Sequence, residues 1–276
     1  PRLLDKVTHK AAGINDLILG RAELPMPENV TEKNMRQIRA ASKLIRRKQR
    51  QYETQNLQFA EMREDAGLKE YLDRTTFINK DGEVCEFTDL QKHDLNLVLQ
   101  KRYALLNWQQ GSGKTAAVYH RAKYLLKFRK ARNVIILAPA IATNMTWIPF
   151  LTINKERFRT IQTAGDLNNI PEGTFLVVST SMLRKLKRGL MRFVKRTSGK
   201  LCLVFDESDE ITNPTSQRTR NILCIFRRLR YKILDTGTTT RNNIAELYSQ
   251  FELLYNNSVN MICWSPQVYH ENRDHE

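Results

Sequence analysis

Cysteine is scarce in this 276-residue chain: only Cys85, Cys202, Cys224 and Cys263 occur, and no two stand in a CxxC pair. No secretory signal opens the sequence. That pattern argues against a disulfide scaffold or a cysteine-built zinc site. Reduced thiols in a cytoplasmic or nuclear-type reducing compartment are the expectation. Long apolar runs are also missing. The longest, Val134 to Ala142 around Pro139, falls short of the ~18 residues that a membrane-spanning helix needs. It reads as a buried strand entering a turn, and no membrane partner is expected. Acidic residues are few, 29 Asp and Glu against 45 Lys and Arg, for a net charge of +16. Such an excess favours a polyanionic partner, because neutralising phosphates releases counterions. A solvated basic surface without a partner is the plainer alternative. The chain opens at Pro1 rather than Met, as a processed chain or a piece of a longer one would.

What is present divides into two parts. The length suits one large domain, or one domain with an appendage. Residues 1–30 carry Pro25 and Pro27 and little periodicity. Residues 31–73 hold no proline and one glycine, Gly67, and Ile38, Ile45, Tyr52 and Phe59 follow one another at intervals of seven. This spacing predicts one long helix with a thin apolar stripe, interrupted on its second seam by Lys48 and Gln55. Arg46, Arg47, Lys48 and Arg50 make its middle basic, either as a solvated face or as a phosphate-tracking or partner-binding one. Asp81-Gly82 between Phe77-Ile78 and Val84-Cys85 signals a hairpin. Residues 1–85 are therefore taken as a helical N-terminal appendage and 86–276 as the main domain.

In that domain short apolar runs alternate with helical stretches. The runs are Tyr103 to Leu106, Val134 to Leu137, Phe175 to Val178, Leu201 to Phe205 and Tyr231 to Leu234; the helical stretches lie near 114–129, 181–194, 216–229 and 243–255. Alternation of this kind predicts an α/β fold, a mostly parallel sheet with helices on both faces.

Three segments at the ends of these runs carry chemistry. Gly111-Ser112-Gly113-Lys114-Thr115 stands between a strand and a helix, as a phosphate-binding loop requires. Its glycines let backbone N–H groups turn toward an anion, and the helix N-terminus adds a positive dipole end. Lys114 would reach the β- and γ-phosphates of ATP and Thr115 would ligate Mg²⁺. Trp108 fills the position where the strict motif has its first glycine. Asp206-Glu207-Ser208-Asp209 follows a buried-strand run. Asp206 would hold the Mg²⁺ through water, and Glu207 would orient and deprotonate an attacking water. An acidic turn capping the next helix is the alternative for that segment by itself. Asp235-Thr236-Gly237-Thr238-Thr239-Thr240-Arg241-Asn242-Asn243 comes third. Its value is its place in the series, because a simple strand-to-helix turn with an asparagine cap would look the same.

In this order the three segments resemble the superfamily-two helicases, and among them the Swi/Snf-type translocases, whose relatives extend to bacteria and viruses; a viral or bacterial origin is left open. Asn213-Pro214, Ser216-Gln217-Arg218-Thr219 and Asn242-Asn243-Ile244-Ala245-Glu246-Leu247-Tyr248 match further segments of that family, and the resemblance covers roughly residues 87–260. It implies a RecA-like P-loop lobe. It implies that Gln91 recognises adenine, and that Pro139 with Trp147, and Ser179-Thr180 with Leu183, correspond to the motifs that follow a nucleic-acid backbone. It implies that Thr236, Gly237 and Thr238 relay nucleotide state, with Asp209 coupling to them. Asp209 stands where the family usually has His, Thr239 where Pro is common and Arg241 where Gln is common. Such motors place ATP between two RecA-like lobes, the second supplying arginine fingers. No second lobe is legible after Tyr255, so that lobe is expected from a longer protein or another chain, with ATP bound here but hydrolysed slowly by this chain alone. Duplex DNA is the expected track. An RNA helicase, a restriction-type motor subunit and a non-catalytic nucleic-acid-binding module with a vestigial P-loop are the alternatives.

Overall fold

The computed structural model describes residues 31–33, 35–43, 45–46, 49, 62–197, 200–238 and 246–255. The chain divides into two units, one holding residues 1–63 and 257–265, the other 64–256 and 266–276. In the first, residues 32–33, 35–43, 45–46 and 49 are helical, and Glu32 pairs with Arg36 one turn on. Tyr52 and Phe59 of the expected stripe, and Cys263, lie outside the described residues.

The second unit begins at Glu64 with residues that do not continue a helix. Residues 62–65 are not helical, and α1 (Ala66–Asp73) starts afresh after an extended Asp65 whose carboxylate accepts the Leu68 N–H. The expected single helix over 31–73 is thus corrected: an aspartate that caps a new helix cannot also sit inside an old one. The expected hairpin is present. β1 (Thr76–Ile78) and β2 (Val84–Glu86) pair antiparallel, with Gly82 at φ +83° in the turn. Asn154 exchanges hydrogen bonds with the backbone of Ile78 at 3.0 Å, so the hairpin is tied to the body of this unit.

The sheet elements follow in chain order with their helices. They are α2 (Asp89–Gln100), β3 (Tyr103–Asn107), α3 (Lys114–Lys127), β4 (Asn133–Ala138), α4 (Ile148–Ile153), β5 (Phe158–Thr160), β6 (Phe175–Ser179), α5 (Leu183–Arg196), β7 (Leu201–Phe205), α6 (Gln217–Phe226), β8 (Tyr231–Thr236) and α7 (Leu247–Tyr255). The six strands run in the order β3-β8-β7-β4-β6-β5, and every pairing is parallel. This is the α/β architecture expected from the sequence. The edge strand β5 escaped that expectation, because Phe-Arg-Thr is too short and mixed to show a period.

All residues of β4, β7 and β8 are buried. Both faces are covered, so the period-2 signal vanishes into continuous apolar runs. On one face Val134, Ile136, Cys202, Val204 and Ile233 pack with Ala117, Val118 and Leu125 of α3. On the other, Ile135, Leu137, Leu203, Phe205 and Leu234 pack with Leu186, Leu190 and Phe193 of α5 and with Ile222 and Phe226 of α6. Each fully buried aliphatic or aromatic side chain contributes roughly 1.5–3 kcal/mol. No described helix is long and apolar enough to cross a membrane.

Two buried cations pin helices to strands. Arg121 of α3 donates to the carbonyls of Lys101 and Arg102 at 3.0 and 2.8 Å. Lys232 of β8 donates to the carbonyls of Arg227 at 2.8 Å and Leu253 at 2.6 Å, with its ammonium 4.6 Å from the centre of the Tyr103 ring. Burial pushes Lys232 down from the ordinary 10.5 to about 7, with Glu252 pulling the other way. The unfolded chain then holds this proton more tightly than the fold does. Below about pH 7 both states are protonated and the burial cost is complete; it is relieved as pH rises from about 7 toward 10.5. Comparing Lys232→Met with the parent by urea unfolding across that window, the stability difference is expected to move in the parent's favour as pH rises. A difference that stays flat would contradict this assignment.

Candidate nucleotide site at the strand tips

The three chemistry-bearing segments converge at the C-terminal ends of β3, β7 and β8, the end where open parallel sheets hold ligands. The register sets this. Leu106 and Asn107 lie opposite Asp235 and Thr236, and Phe205 lies opposite Leu234, so the residues leaving all three strands stand side by side.

The loop from Trp108 to Gly113 joins β3 to α3. Gly111 and Gly113 adopt φ +80° and +81°, the left-handed region that side chains with a Cβ enter at a cost, and Gly113 caps α3 in that conformation. A Cβ at Gly113 would also come within 3.3 Å of Gln91 Nε2. Ser112 Oγ donates to the Gln109 carbonyl at 2.6 Å. Lys114 folds back over the loop and donates to the carbonyls of Trp108 and Gln109 at 3.1 and 3.2 Å. Thr115 follows on the first turn of α3, half-buried.

Helix α2 grips this loop twice. Gln91 accepts from the Thr88 N–H at 2.8 Å as one half of a capping box. With its amide it donates to the Ser112 carbonyl at 2.8 Å. Trp108 Nε1 donates to Asp94 at 2.8 Å. Trp108, the departure from the strict loop motif, therefore anchors the loop. Sequence reasoning missed its partner Asp94, although that residue sits three positions after Gln91, on the same face of a helix.

At the tip of β7, Asp206 is buried and its Oδ2 accepts from Trp147 Nε1 at 2.7 Å. This explains the fully buried indole eight residues after Pro139: Pro139 ends β4, a one-turn helix (Ala140–Ala142) and a π turn (Thr143–Trp147) follow, and the turn delivers Trp147 beneath the acidic segment. Glu207 takes φ +54°, ψ +54°. A left-handed glutamate is strained by about 1–3 kcal/mol, and the kink sends its side chain away from the direction β7 would give it. Ser208 Oγ donates to Gln250 of α7 at 3.0 Å, a second partner the sequence did not announce.

Asp209 is buried, with its Oδ1 3.2 Å from Thr236 Oγ1. The same hydroxyl lies 2.8 Å from the Thr238 carbonyl and accepts from the Thr238 N–H at 3.1 Å. A hydroxyl has one proton to give, so Thr236 donates to Asp209 or to Thr238, not both at once. The expected link between acidic box and Thr-Gly-Thr segment is thus a physical contact. Gly237 stands where a Cβ would lie 3.5 Å from the Lys114 ammonium, so the third segment also borders the phosphate loop. Pro139 is half-buried and Thr180 is buried; beside Thr180, the hydroxyls of Ser179 and Ser181 lie 2.8 Å apart. Residues 239–245, which include Thr239, Arg241, Asn242 and Asn243, lie outside the described residues.

One further group belongs to the site. Asp235, at the tip of β8, is 1% exposed, and no donor among the described residues reaches either of its oxygens. Burial, then the neighbouring Asp206 carboxylate, holds it well above the usual carboxylate range, with Lys114 opposing. The contact between the two aspartates joins two acceptors, so it becomes a hydrogen bond only when one carries a proton.

No family model matches the chain. The ATP-dependent helicase FUN30 of Saccharomyces cerevisiae is 27% identical over 175 residues, 59% of this chain and 15% of that protein; the chain spans only that fraction of this curated relative's length. Two solved structures from Sulfolobus solfataricus share the fold. The SWI2/SNF2 ATPase core in complex with dsDNA superposes with a TM-score of 0.52 at 16% identity, over 68% of this chain and 38% of that one. The SWI2/SNF2 ATPase core domain gives 0.51 at 17%, over the same shares. The fold is that of a RecA-like lobe, as in these helicase-type ATPase cores. In sequence and fold together the chain is similar to the Swi2/Snf2-type ATPase core.

The Trp147–Asp206 bond supplies a direct test of this geometry. Replacing Trp147 by Phe keeps the ring but removes the donor, leaving a buried carboxylate oxygen short of a partner, at a cost of about 1–3 kcal/mol. Chemical denaturation is expected to show a loss of that size. A variant as stable as its parent would mean that the bond is not formed.

Proposed function

We propose that this lobe binds ATP with Mg²⁺ and couples its hydrolysis to movement along a duplex nucleic acid, DNA in the first instance. The observation that carries this is the convergence of the glycine loop, Asp206-Glu207 and the Asp209–Thr236–Thr238 contact at three adjacent strand tips. Backbone amides of Gly111, Gly113 and Lys114 and the Lys114 ammonium would hold the β- and γ-phosphates. Gln91, which bonds the Ser112 carbonyl of the loop, would read adenine. The residues present fit a magnesium ion: Thr115 and Asp206 would hold it, and two buried Asp235 oxygens without a donor among the described residues mark a place that is short of positive charge. Bound there, the ion would neutralise charge on the phosphates. Glu207 would take the proton of the attacking water. Thr236 would feel nucleotide state through Asp209 and pass it to the segment that follows Gly237. Arginine fingers would come from a second RecA-like lobe.

The track is supported by α5. Leu183, Leu186, Leu190 and Phe193 face the core, and Arg184, Lys185, Arg188, Arg192 and Lys195 are exposed along its outer side. Contacts of this kind would be independent of sequence and dependent on salt.

Titrating a fluorescent ATP analogue should give saturable binding. Lys114→Ala is expected to weaken it about tenfold or more, the worth of a charge-assisted phosphate contact. Equal affinity in the two proteins would remove the basis of the proposal. Binding to duplex DNA should fall steeply between low and moderate salt and exceed binding to duplex RNA. The reverse preference would favour an RNA helicase, and nucleic-acid binding without any nucleotide binding would favour the non-catalytic module.

A further inference from the structure

Side chains alternate between the two faces of a strand, and this places Asp206 and Asp235 on the same side of the sheet. Cys202 and Val204 of β7, and Tyr231 and Ile233 of β8, belong to the core beneath α3. Two residues further along each strand line come Asp206 and Asp235, on the α3 side, beneath the phosphate loop. Thr236, one residue on, turns to the other side and meets Asp209. The chain thus puts two adjacent buried carboxyls near Lys114: Asp206 Oδ2 accepts from Trp147, the two carboxyls meet one another, and no other described donor reaches either Asp235 oxygen. A buried carboxyl without a donor is destabilising unless something brings positive charge to it. Lys114 is near enough to act electrostatically on Asp235, but both of its described bonds go to the Trp108 and Gln109 carbonyls. Among the described residues no group of three His, Cys, Asp or Glu is arranged to hold a metal ion, so an ion here would need water and phosphate oxygens to complete its shell.

We propose that Asp235 is a second protein carboxylate of the divalent-cation site, acting with Asp206 so that the cation is held by a pair of aspartates at adjacent strand tips. The inference rests on reading this as the nucleotide–magnesium site. It assigns the Thr-Gly-Thr segment a role in metal retention as well as in relaying nucleotide state. Asp235, a carboxyl already buried away from water, offers a hard oxygen of the kind magnesium and manganese select.

The Trp147 indole, bonded to Asp206, provides the probe. Terbium bound between the aspartates would be excited through that ring, and manganese would displace it. In the full 276-residue chain, Tb³⁺ luminescence excited through tryptophan is expected to saturate, to be competed away by Mn²⁺, and to lose most of its intensity in Trp147→Phe. Asp235→Asn, which keeps the shape, and Asp235→Leu, which suits the apolar side of the sheet, are each expected to weaken Tb³⁺ and Mn²⁺ at least fivefold. Circular dichroism in EDTA checks that both variants are folded, and one folded variant suffices. Binding of a fluorescent ADP in EDTA is measured in the same samples and is expected to change less than twofold. If folded Asp235→Asn or Asp235→Leu holds both ions as tightly as the parent, or if the parent holds neither, the proposal is overturned, while intact ADP binding would leave the proposed function standing. If ADP binding fails in the parent but ion binding still depends on Asp235, the cation site stands and the nucleotide function falls.

Discussion

Everything proposed for this lobe depends on the parallel pairing of β3, β8 and β7 in one register. Parallel strands release their chains at the same end of the sheet, so three segments far apart in sequence, at 108–113, 206–209 and 236–238, arrive as neighbours. A one-residue slip of β8 would turn Asp235 and Thr236 to the opposite faces. It would separate Thr236 from Asp209 and Asp235 from Asp206 in a single step. The register is held by burial on both faces and by Lys232, whose ammonium ties β8 to the ends of α6 and α7 from inside the core.

The site is built against electrostatic cost. Asp206, Asp235 and Asp209 are all buried, and Glu207 takes a left-handed backbone. These features weaken a fold and are retained where chemistry needs them. Donors relieve part of the cost: Trp147 for Asp206, Thr236 for Asp209. Asp235 has no such relief among the described residues, which is why it points beyond the protein. The phosphate loop is held instead by neutral donors, the Gln91 amide and the Trp108 indole. Gln91 and Asp94 of α2 fix its two ends, and the indole at Trp108 makes use of a position that a strict motif reserves for glycine.

Most of the scaffold was legible because buried parallel strands write themselves as apolar runs, and Gly111, Pro139 and Asp206-Glu207 punctuate the ends of β3, β4 and β7. The glycine loop and the acidic box could be read from spacing alone, because phosphate binding needs a particular backbone. What could not be read depended on distance in space. Asp94 is an ordinary helix-surface aspartate until Trp108 meets it; Gln250 is one of several polar residues on α7 until Ser208 reaches it. Asp235 looked like part of a turn because only the alternation of β8, once the strand's end is known, sets it on the side of Asp206. The long helix over 31–73 was misjudged for a local reason: a seven-residue stripe says nothing of where a helix stops, and Asp65, the cap that restarts one, is also an unremarkable surface residue.

The central claim is that nucleotide sits on the loop between β3 and α3. Backbone hydrogen exchange with and without Mg-ADP addresses it directly, since the amides from Gly111 to Thr115 are the groups that would face the phosphates. The account requires strong, local protection of those amides on adding nucleotide, with lesser protection at Asp206 to Ser208. Unchanged exchange in the loop, or protection confined to another part of the lobe, would contradict it.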